Sequence, residues 1–174
     1  VQQMHNMFND SKVETVTLDD TSSVENMDSM FESARNFNGW NISDWDVSKV
    51  KNFYETFRLA WKFNQDLSRW NTESATTMNS MFQGTRELTK PVNFENVGKV
   101  TDMGLMFHDS AVPSVNLKKT GKVQRMQHMF LNSNVETVTL DDTSSVENMD
   151  SMFESALNFN GWNISDWDVS KVKN

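Results

Sequence analysis

The residues of this chain that could do chemistry are its carboxylates and its three histidines. Asp19-Asp20 and Asp141-Asp142 are each followed by Thr-Ser-Ser, and clustered oxygen atoms of this kind are the ligands that calcium prefers. The spacing of an EF-hand loop is absent, however, and so is the glycine- and aspartate-rich nonapeptide of calcium-binding β-rolls. We therefore expect these residues to serve in turns and helix caps, and we predict no metal site.

The sequence gives no support to a catalytic reading. His5, His108 and His128 carry neither the HExxH spacing nor a cysteine–histidine spacing of a metal site. Asp44 and Asp46 are close in sequence, but nothing around them predicts the desolvation that would raise a carboxyl pKa. The six glycines form no phosphate-binding loop or dinucleotide fingerprint, and there is no GxSxG motif. We predict that the protein is not an enzyme and needs no cofactor.

Charge and composition narrow the class of partner. The 174 residues include 16 basic and 24 acidic ones, giving a net charge of -8, and the longest basic run is Lys118-Lys119. Nucleic acids and anionic membranes require clustered positive charge, so neither is an expected partner. No stretch approaches the roughly 20 apolar residues of a membrane span, which predicts no membrane insertion in this segment. The absence of cysteine leaves the redox compartment open.

Seven copies of one short pattern organise the chain. Each copy has a valine or alanine, then methionines at its fourth and seventh positions, then phenylalanine at its eighth, as in VENMDSMF. All twelve methionines fall in six of the copies, and the third copy has Phe53 and Thr56 instead. We number these copies repeats 1 to 7 from their first residues, which are Val1, Val24, Val50, Ala75, Val100, Val123 and Val146.

Two nested periods follow from these positions. Successive repeats begin 23 to 26 residues apart, and a shift of 122 residues lays 1–52 on 123–174 with seven differences. We predict one continuous solenoid over 1–174 with about seven coils, in which 1–122 is a five-coil block and 123–174 begins the next. Near-identity of the blocks indicates recent tandem duplication, so we expect the natural protein to contain more of them.

Within one coil, the repeated segment predicts a short helix followed at a distance by a strand. Val24, Met27, Met30, Phe31 and Ala34 have the three-and-four spacing of one apolar helix face. Serines or glycines two residues before most repeats are suitable helix N-caps.

Alternating apolar and polar residues predict the strands, at 16–18, 40–42, 92–94, 115–117 and 138–140, whereas 65–67 fits less well. Each coil of about 25 residues is thus predicted to contain a short parallel strand, a loop and a short helix. One such coil cannot bury enough apolar surface to fold alone, so the coils must stack. The fold class we predict is an α/β repeat solenoid.

The apolar residues of the repeats are the predicted structural core. Methionine suits such a seam because its flexible side chain fills uneven gaps between coils of unequal length. The core residues named from the sequence are Val24, Met27, Met30, Phe31, Met78, Met81, Phe82, Met103, Met106 and Phe107.

The stretch 63–82, FNQDLSRWNTESATTMNSMF, and its counterpart FNGWNISDWDVSKVKNFYETF from Phe37 closely resemble the BspA-like surface repeats of mycoplasma-type and other bacterial surface proteins. The resemblance extends over essentially the whole chain. It implies a solenoid related to leucine-rich repeats, on secreted or surface-anchored proteins suspected of adhesion, with no agreed catalytic residues. The coils that lead into repeats 2, 5, 6 and 7 depart from the fuller pattern, since they lack the tryptophan found at Trp45, Trp70 and Trp167.

The outward strand positions are the candidate ligand-binding residues. In stacking order they are Thr17, Asn41, Asp66, Asn93, Asn116, Thr139 and Asn163. One interpretation is a polar ladder that hydrogen-bonds along the stack and tolerates water. The other is a ligand face for a glycan, a peptide or another copy of the array, because solenoid sheets offer extended binding surfaces.

Two functions from different classes remain open. The first is an extracellular structural or adhesive array, a stiff stalk, fibre or surface coat. Its partners would be further copies of itself and a host or neighbouring-cell surface. The second is a recognition module that binds a glycan or protein through its polar strand face, with Trp61 and Trp70 as exposed aromatic candidates. Asn9, Asn41 and Asn163 begin Asn-x-Ser/Thr triplets, which would be glycan acceptors only in a eukaryotic secretory route.

Overall fold

Parallel backbone pairing links each repeat to the next in the structure, a computed structural model that describes residues 1–162 and 164–173. The third residue of every repeat takes part, and the bridges join Gln3, Asn26, Asn52, Thr77, Asp102, Arg125 and Asn148 in that order. The pairing of Asp102 with Arg125 passes across residue 122, where the duplicated sequence begins again. The repeats are therefore stacked in sequence order with their chains parallel.

The repeated segments form runs of overlapping turns, and the predicted short helices are wrong. In repeat 2, Met30 N donates to Met27 O at 3.1 Å and Ala34 N donates to Phe31 O at 3.0 Å, each spanning three residues. Within residues 1–162 and 164–173 the structure has one helix, the single 3-10 turn Ile42–Asp44. No helix of this part of the chain has the length and hydrophobicity of a membrane span.

The backbone hydrogen bonds explain why no helix forms. Alternate N–H groups of repeats 1 to 6 donate to the following repeat, beginning in repeat 2 with Met27 N to Asn52 O at 3.0 Å. The row ends with Ser33 N to Arg58 O at 2.7 Å. Ser29 and Ser33 have φ values of 51° and 57°, which breaks the right-handed helical geometry. The left-handed conformation costs about 1–2 kcal/mol per residue, and the hydrogen bonds between repeats offset it.

A three-stranded parallel sheet forms on another side of repeats 4 to 6. Its strands are β1, Val92–Phe94, β2, Ser114–Leu117, and β3, Thr137–Leu140, in the order β1-β2-β3. Val92 pairs with Val115, which pairs with Val138, so equivalent side chains are in register. The valines point into the core while the polar residues between apolar neighbours point outward, as the alternation predicted.

The strands predicted at 16–18, 40–42 and 65–67 are not formed. The reason is clearest at 40–42, where Gly39 and Asn41 have φ values of 80° and 71° and the 3-10 turn follows at once. Only glycine fits position 39, because a Cβ there would lie 2.6 Å from Phe63 Cε2. A segment that turns in this way cannot form an extended strand. The segments 16–18 and 65–67 on either side then have no strand at 40–42 with which to pair.

The core consists of columns of equivalent side chains. The phenylalanines at the eighth position of the repeats stack with ring centroids 5.3 to 5.7 Å apart, from Phe8 to Phe153. The ten residues named as structural core from the sequence are all at most 1% exposed. Burial of this continuous apolar surface is the main favourable contribution to folding.

Repeat 3 fills its core differently, with a larger and a smaller residue in place of two methionines. Phe53 stacks on Trp70 at 5.8 Å, and Thr56 is fully buried. The Thr56 hydroxyl donates to Met27 O at 3.0 Å, which satisfies a polar group inside the core. The volume gained at one position is thus balanced at the other.

Candidate functional site

The predicted polar ladder is formed by three of its seven members. Asn93, Asn116 and Thr139 occupy equivalent positions of β1, β2 and β3 and lie side by side, each half-buried. We call these three residues the polar sheet face. The Asn116 Oδ1 atom is buried and has no hydrogen-bond partner among the described residues. Unpaired buried oxygens are uncommon. The oxygen itself is shielded from solvent, so a ligand would meet the half-buried side chains of the face as a whole.

The other three described members of the ladder are not on a sheet. Thr17, Asn41 and Asp66 are exposed and lie outside the strands, and Asn163 lies outside the described residues. Asn41 adopts a left-handed backbone conformation beside the 3-10 turn. Asp66 accepts a hydrogen bond from Ser68 N at 2.9 Å, which lowers the pKa of that carboxyl. Among the described residues, the structure therefore brings together only Asn93, Asn116 and Thr139 on one sheet.

The carboxylates before the repeats hold tight turns. Asp20, Asp46 and Asp142 accept hydrogen bonds from the backbone N–H of the serine two residues later, at 2.8 to 3.0 Å. Hydrogen bonds from the hydroxyl and the backbone of these serines lower the pKa of each aspartate. The serines predicted as helix N-caps are thus donors in Asx turns. Asn71 and Asn96 occupy the same position and make the same bond.

The candidate metal ligands of the sequence do not converge. Residues 1–162 and 164–173 contain no group of three or more His, Cys, Asp or Glu side chains that could hold an ion. Asp141 accepts from the backbone N–H groups of Lys119 and Thr120, and these bonds lower its pKa although burial opposes them. His108 Nδ1 lies 3.0 Å from Gln83 Nε2, an ordinary contact between adjacent repeats.

Ion pairs connect neighbouring repeats on the surface. Glu25 pairs with Lys51 at 2.7 Å, and Asp102 pairs with Arg125 at 3.0 Å. Hydrogen bonding to the Lys51 ammonium lowers the pKa of Glu25. Arg58 is paired with Glu32. Most lysines and arginines that form an ion pair do so with a carboxylate of the adjacent repeat. These ion pairs therefore connect stacked repeats.

A second surface feature follows the twelfth position of each repeat. We call it the edge groove, and its column of residues is Lys12, Arg35, Trp61, Arg86, Ala111, Asn134 and Leu157. Three clefts line up along it, of about 550 Å³ at repeats 1 to 4, about 500 Å³ at repeats 4 to 6, and about 240 Å³ at repeats 6 and 7.

At one end of the edge groove an indole ring lies between two guanidinium groups. The Cζ atom of Arg35 is 4.4 Å from the centroid of the Trp61 ring, and that of Arg86 is 4.9 Å from it. Arg35 comes from the preceding repeat and Arg86 from the following one. The sequence identified Trp61 as a candidate, but its neighbours could be found only by aligning the repeats and reading down one column.

Trp70, the other aromatic candidate, is buried and is not a surface anchor. Its side chain is 3% exposed, and its Nε1 donates to Ile42 O at 2.9 Å. It packs on Phe53 in the core. Trp40 is the more exposed ring, at 62%, because it lies in the turn where a strand was predicted.

Comparison with known proteins gives one result. A family model described as "Mycoplasma protein of unknown function, DUF285" matches residues 2–119 and 110–174, which together span nearly the whole chain. No curated protein and no solved structure is significantly similar to this chain.

Proposed function

The chain belongs to the family described as "Mycoplasma protein of unknown function, DUF285", and from this premise we propose that it forms part of an extracellular structural and adhesive repeat array with no catalytic activity. In this proposal the array is a stalk, fibre or coat at the cell surface. Its partners are further repeats of the same kind and the surfaces that the array touches.

One observation carries this proposal, the continuous hydrogen-bond ladder from Gln3 to Asn148. Every step of the ladder pairs equivalent residues of adjacent repeats, and backbone donors and acceptors of each repeat face those of the next in the same pattern. Further repeats can therefore be added to the stack with the same backbone pairing at each interface. With strands about 4.8 Å apart, a five-coil block would extend the array by roughly 24 Å.

The finer assignments are part of the same proposal. We assign the chain to the BspA-like repeats on its FN, Trp-Asn and MxxMF pattern, and we describe its stack as a solenoid related to leucine-rich repeats. The near-identity of 1–52 and 123–174 supports a structural role, because a rod needs repetition whereas a dedicated pocket needs singular residues. The surface location is supported by the resemblance.

Electron microscopy of the intact native protein on unbroken cells tests the proposal. An antibody raised against residues 1–174 should label fibres or a continuous coat on the outside of the cells. Lysed cells of the same culture serve as the control for hidden epitopes. Label that appears only after lysis, on separate compact particles, would contradict the extracellular assignment.

The polar sheet face supports a second candidate function, recognition of a glycan or a protein. The specific observation is the in-register row of half-buried polar side chains on three adjacent strands, Asn93, Asn116 and Thr139. A triple variant N93A/N116A/T139A should lose binding on a glycan and peptide array.

The matched control for the recognition test is T17A/N41A/D66A, which changes the equivalent positions of coils that form no sheet. It should keep any binding that the wild-type chain shows. Equal binding by both variants would exclude the polar sheet face as the recognition surface.

A further inference from the structure

The basic end of the edge groove has more positive than negative side chains. Lys12, Arg35 and Lys62 line its cleft of about 550 Å³, and Arg86 approaches from the next repeat. Among the described residues, none of these four side chains has a carboxylate within 4.0 Å, although the chain carries an excess of acidic groups. The carboxylates that also line the cleft are Asp10 and Glu87, so cations outnumber them.

The guanidinium groups are held in place by the ring between them. Arg35 and Arg86 each stack on Trp61, and Trp61 Nε1 is buried without a hydrogen-bond partner in the described part of the chain. These two cation–π contacts favour one position of each guanidinium group over the ring. An oriented guanidinium loses less conformational entropy when it binds an anion.

Stacking of the repeats does not require this basic cluster. Over residues 11–52, two positions differ from the duplicated copy at 133–174, and both are in the edge groove. Lys12 is replaced by Asn134, and Arg35 is replaced by Leu157. The copy keeps the ladder and the phenylalanine stack at these repeats. Lys12 and Arg35 are thus present in one block and absent from the other, and the stacking of the repeats does not depend on them.

The chemistry of the cleft indicates the class of ligand. We propose that the basic end of the edge groove binds an acidic polysaccharide, whose carboxylate or sulfate groups contact Lys12, Arg35 and Lys62. Neutral hydrogen-bonding groups for sugar hydroxyls are present beside the cations, on Ser11, Ser33 and Asn36. An acidic peptide fits less well, because none of the described residues that line the cleft belongs to a strand that could pair with a peptide strand.

Calorimetric titration of the 174-residue chain at low salt tests this assignment. The probes are a size-defined heparin oligosaccharide, which carries sulfates, and an oligogalacturonate, which carries carboxylates; their relative affinities identify the preferred anion. A neutral dextran oligosaccharide of equal length should not bind. Binding of the acidic probes should weaken as salt is raised, because the contacts are electrostatic.

The decisive variant is K12N/R35L, which converts the groove to the sequence of the duplicated copy and is compatible with folding for that reason. It should bind the acidic oligosaccharide about tenfold or more weakly than the wild-type chain. The matched control is K99N/K122L, which removes the same charge from two exposed lysines outside the groove and should change affinity by less than about twofold. Trp61→Leu, which keeps every cation, should also weaken binding.

Three outcomes would overturn the inference. They are no binding of either acidic oligosaccharide by the wild-type chain, equal losses in the two double variants, and binding of polyglutamate as tight as that of the polysaccharides. The inference is independent of whether the array forms fibres, since it is measured on the isolated chain and the fibre is observed on cells.

Discussion

Side chains at the fourth and seventh positions of the repeats determine whether one coil can cover the next. Met27 and Met30 are fully buried between neighbouring repeats, where an unbranched side chain adapts to gaps of different size. Repeat 3 shows that the volume matters more than the residue type, because Phe53 and Thr56 fill the same space together. Polar atoms are accepted there when they find a partner, as the Thr56 hydroxyl does.

A charge at one of these positions should be strongly destabilising. The variant Met30→Asp places a carboxylate in a site with 0% exposure, and we expect a loss of about 3 kcal/mol or more in the free energy of unfolding. Urea denaturation followed by circular dichroism measures it. Met7→Asp is the control, since Met7 has the same place in repeat 1 and is 52% exposed. Equal stabilities of the two variants would contradict the burial of Met30.

The paired volumes of repeat 3 should behave as a coupled unit. Thr56→Met alone overfills the core and should cost about 1–3 kcal/mol. Combined with Phe53→Met, which restores the pattern of the other repeats, the cost should be smaller than the sum of the two single changes by at least about 0.5 kcal/mol. Thr56→Met combined with the distant change Met129→Leu should be additive. Additivity in both pairs would refute the coupling.

Turns are the elements that give the coil its shape. Each repeat has two residues with positive φ, four positions apart, such as Ser29 and Ser33. A second turn, held by an aspartate or asparagine, precedes most repeats. These turns direct alternate N–H groups toward the next repeat. Hydrogen bonds that a helix would form within one segment are thus formed between adjacent repeats instead.

The aspartate turns should make the fold sensitive to acid. The pKa values of Asp20, Asp46 and Asp142 are lowered in the folded chain. Their contribution is therefore present above the unfolded pKa of about 4 and is lost as pH falls through the lower folded values. The variant D20N/D46N/D142N keeps the acceptor, as Asn71 and Asn96 do, without titrating. Its melting temperature should fall less between pH 6 and pH 3 than that of the wild-type chain.

The control for acid sensitivity is E14Q/D19N/E73Q. These three side chains accept no hydrogen bond in the described part of the chain. Differential scanning calorimetry at both pH values should show the wild-type dependence for this variant. A reduced dependence in the control, equal to that of the turn variant, would assign the acid effect to net charge instead.

The whole molecule is a stack in which every repeat contacts its neighbours through equivalent positions. Most pairs of residues that lie close in space are distant in sequence, so little of the structure is local to one repeat. Stability should therefore be shared between adjacent repeats and grow with their number.

Removal of one complete repeat should leave the stack intact. Deletion of residues 75–99 joins repeat 3 to repeat 5 with donors and acceptors still matched, and it should lower the melting temperature while keeping one cooperative transition. Deletion of residues 75–86 removes the turns of repeat 4 but keeps the remainder of its coil, so equivalent positions of the flanking repeats no longer align. It should abolish cooperative melting monitored by circular dichroism. A cooperative transition in the shorter deletion and none in the longer one would contradict stacking by equivalent positions.

The sequence by itself determined the repeats, their register, the buried columns and the strands at 92–94, 115–117 and 138–140, because apolar periodicity and exact recurrence are local properties of a chain. It did not determine the turns within the repeats. The spacing of Val24, Met27, Met30 and Phe31 fits a helix as well as a run of turns, and only hydrogen bonds to repeat 3 distinguish the two.

The tertiary structure also decided which polar residues share a surface. The left-handed backbone conformation of Asn41 prevents its coil from joining the predicted sheet. The polar sheet face therefore consists of Asn93, Asn116 and Thr139. The edge groove arises from residues about 25 apart that no local pattern relates. Stacking brings those positions together, and that depends on the lengths and turns of every intervening loop.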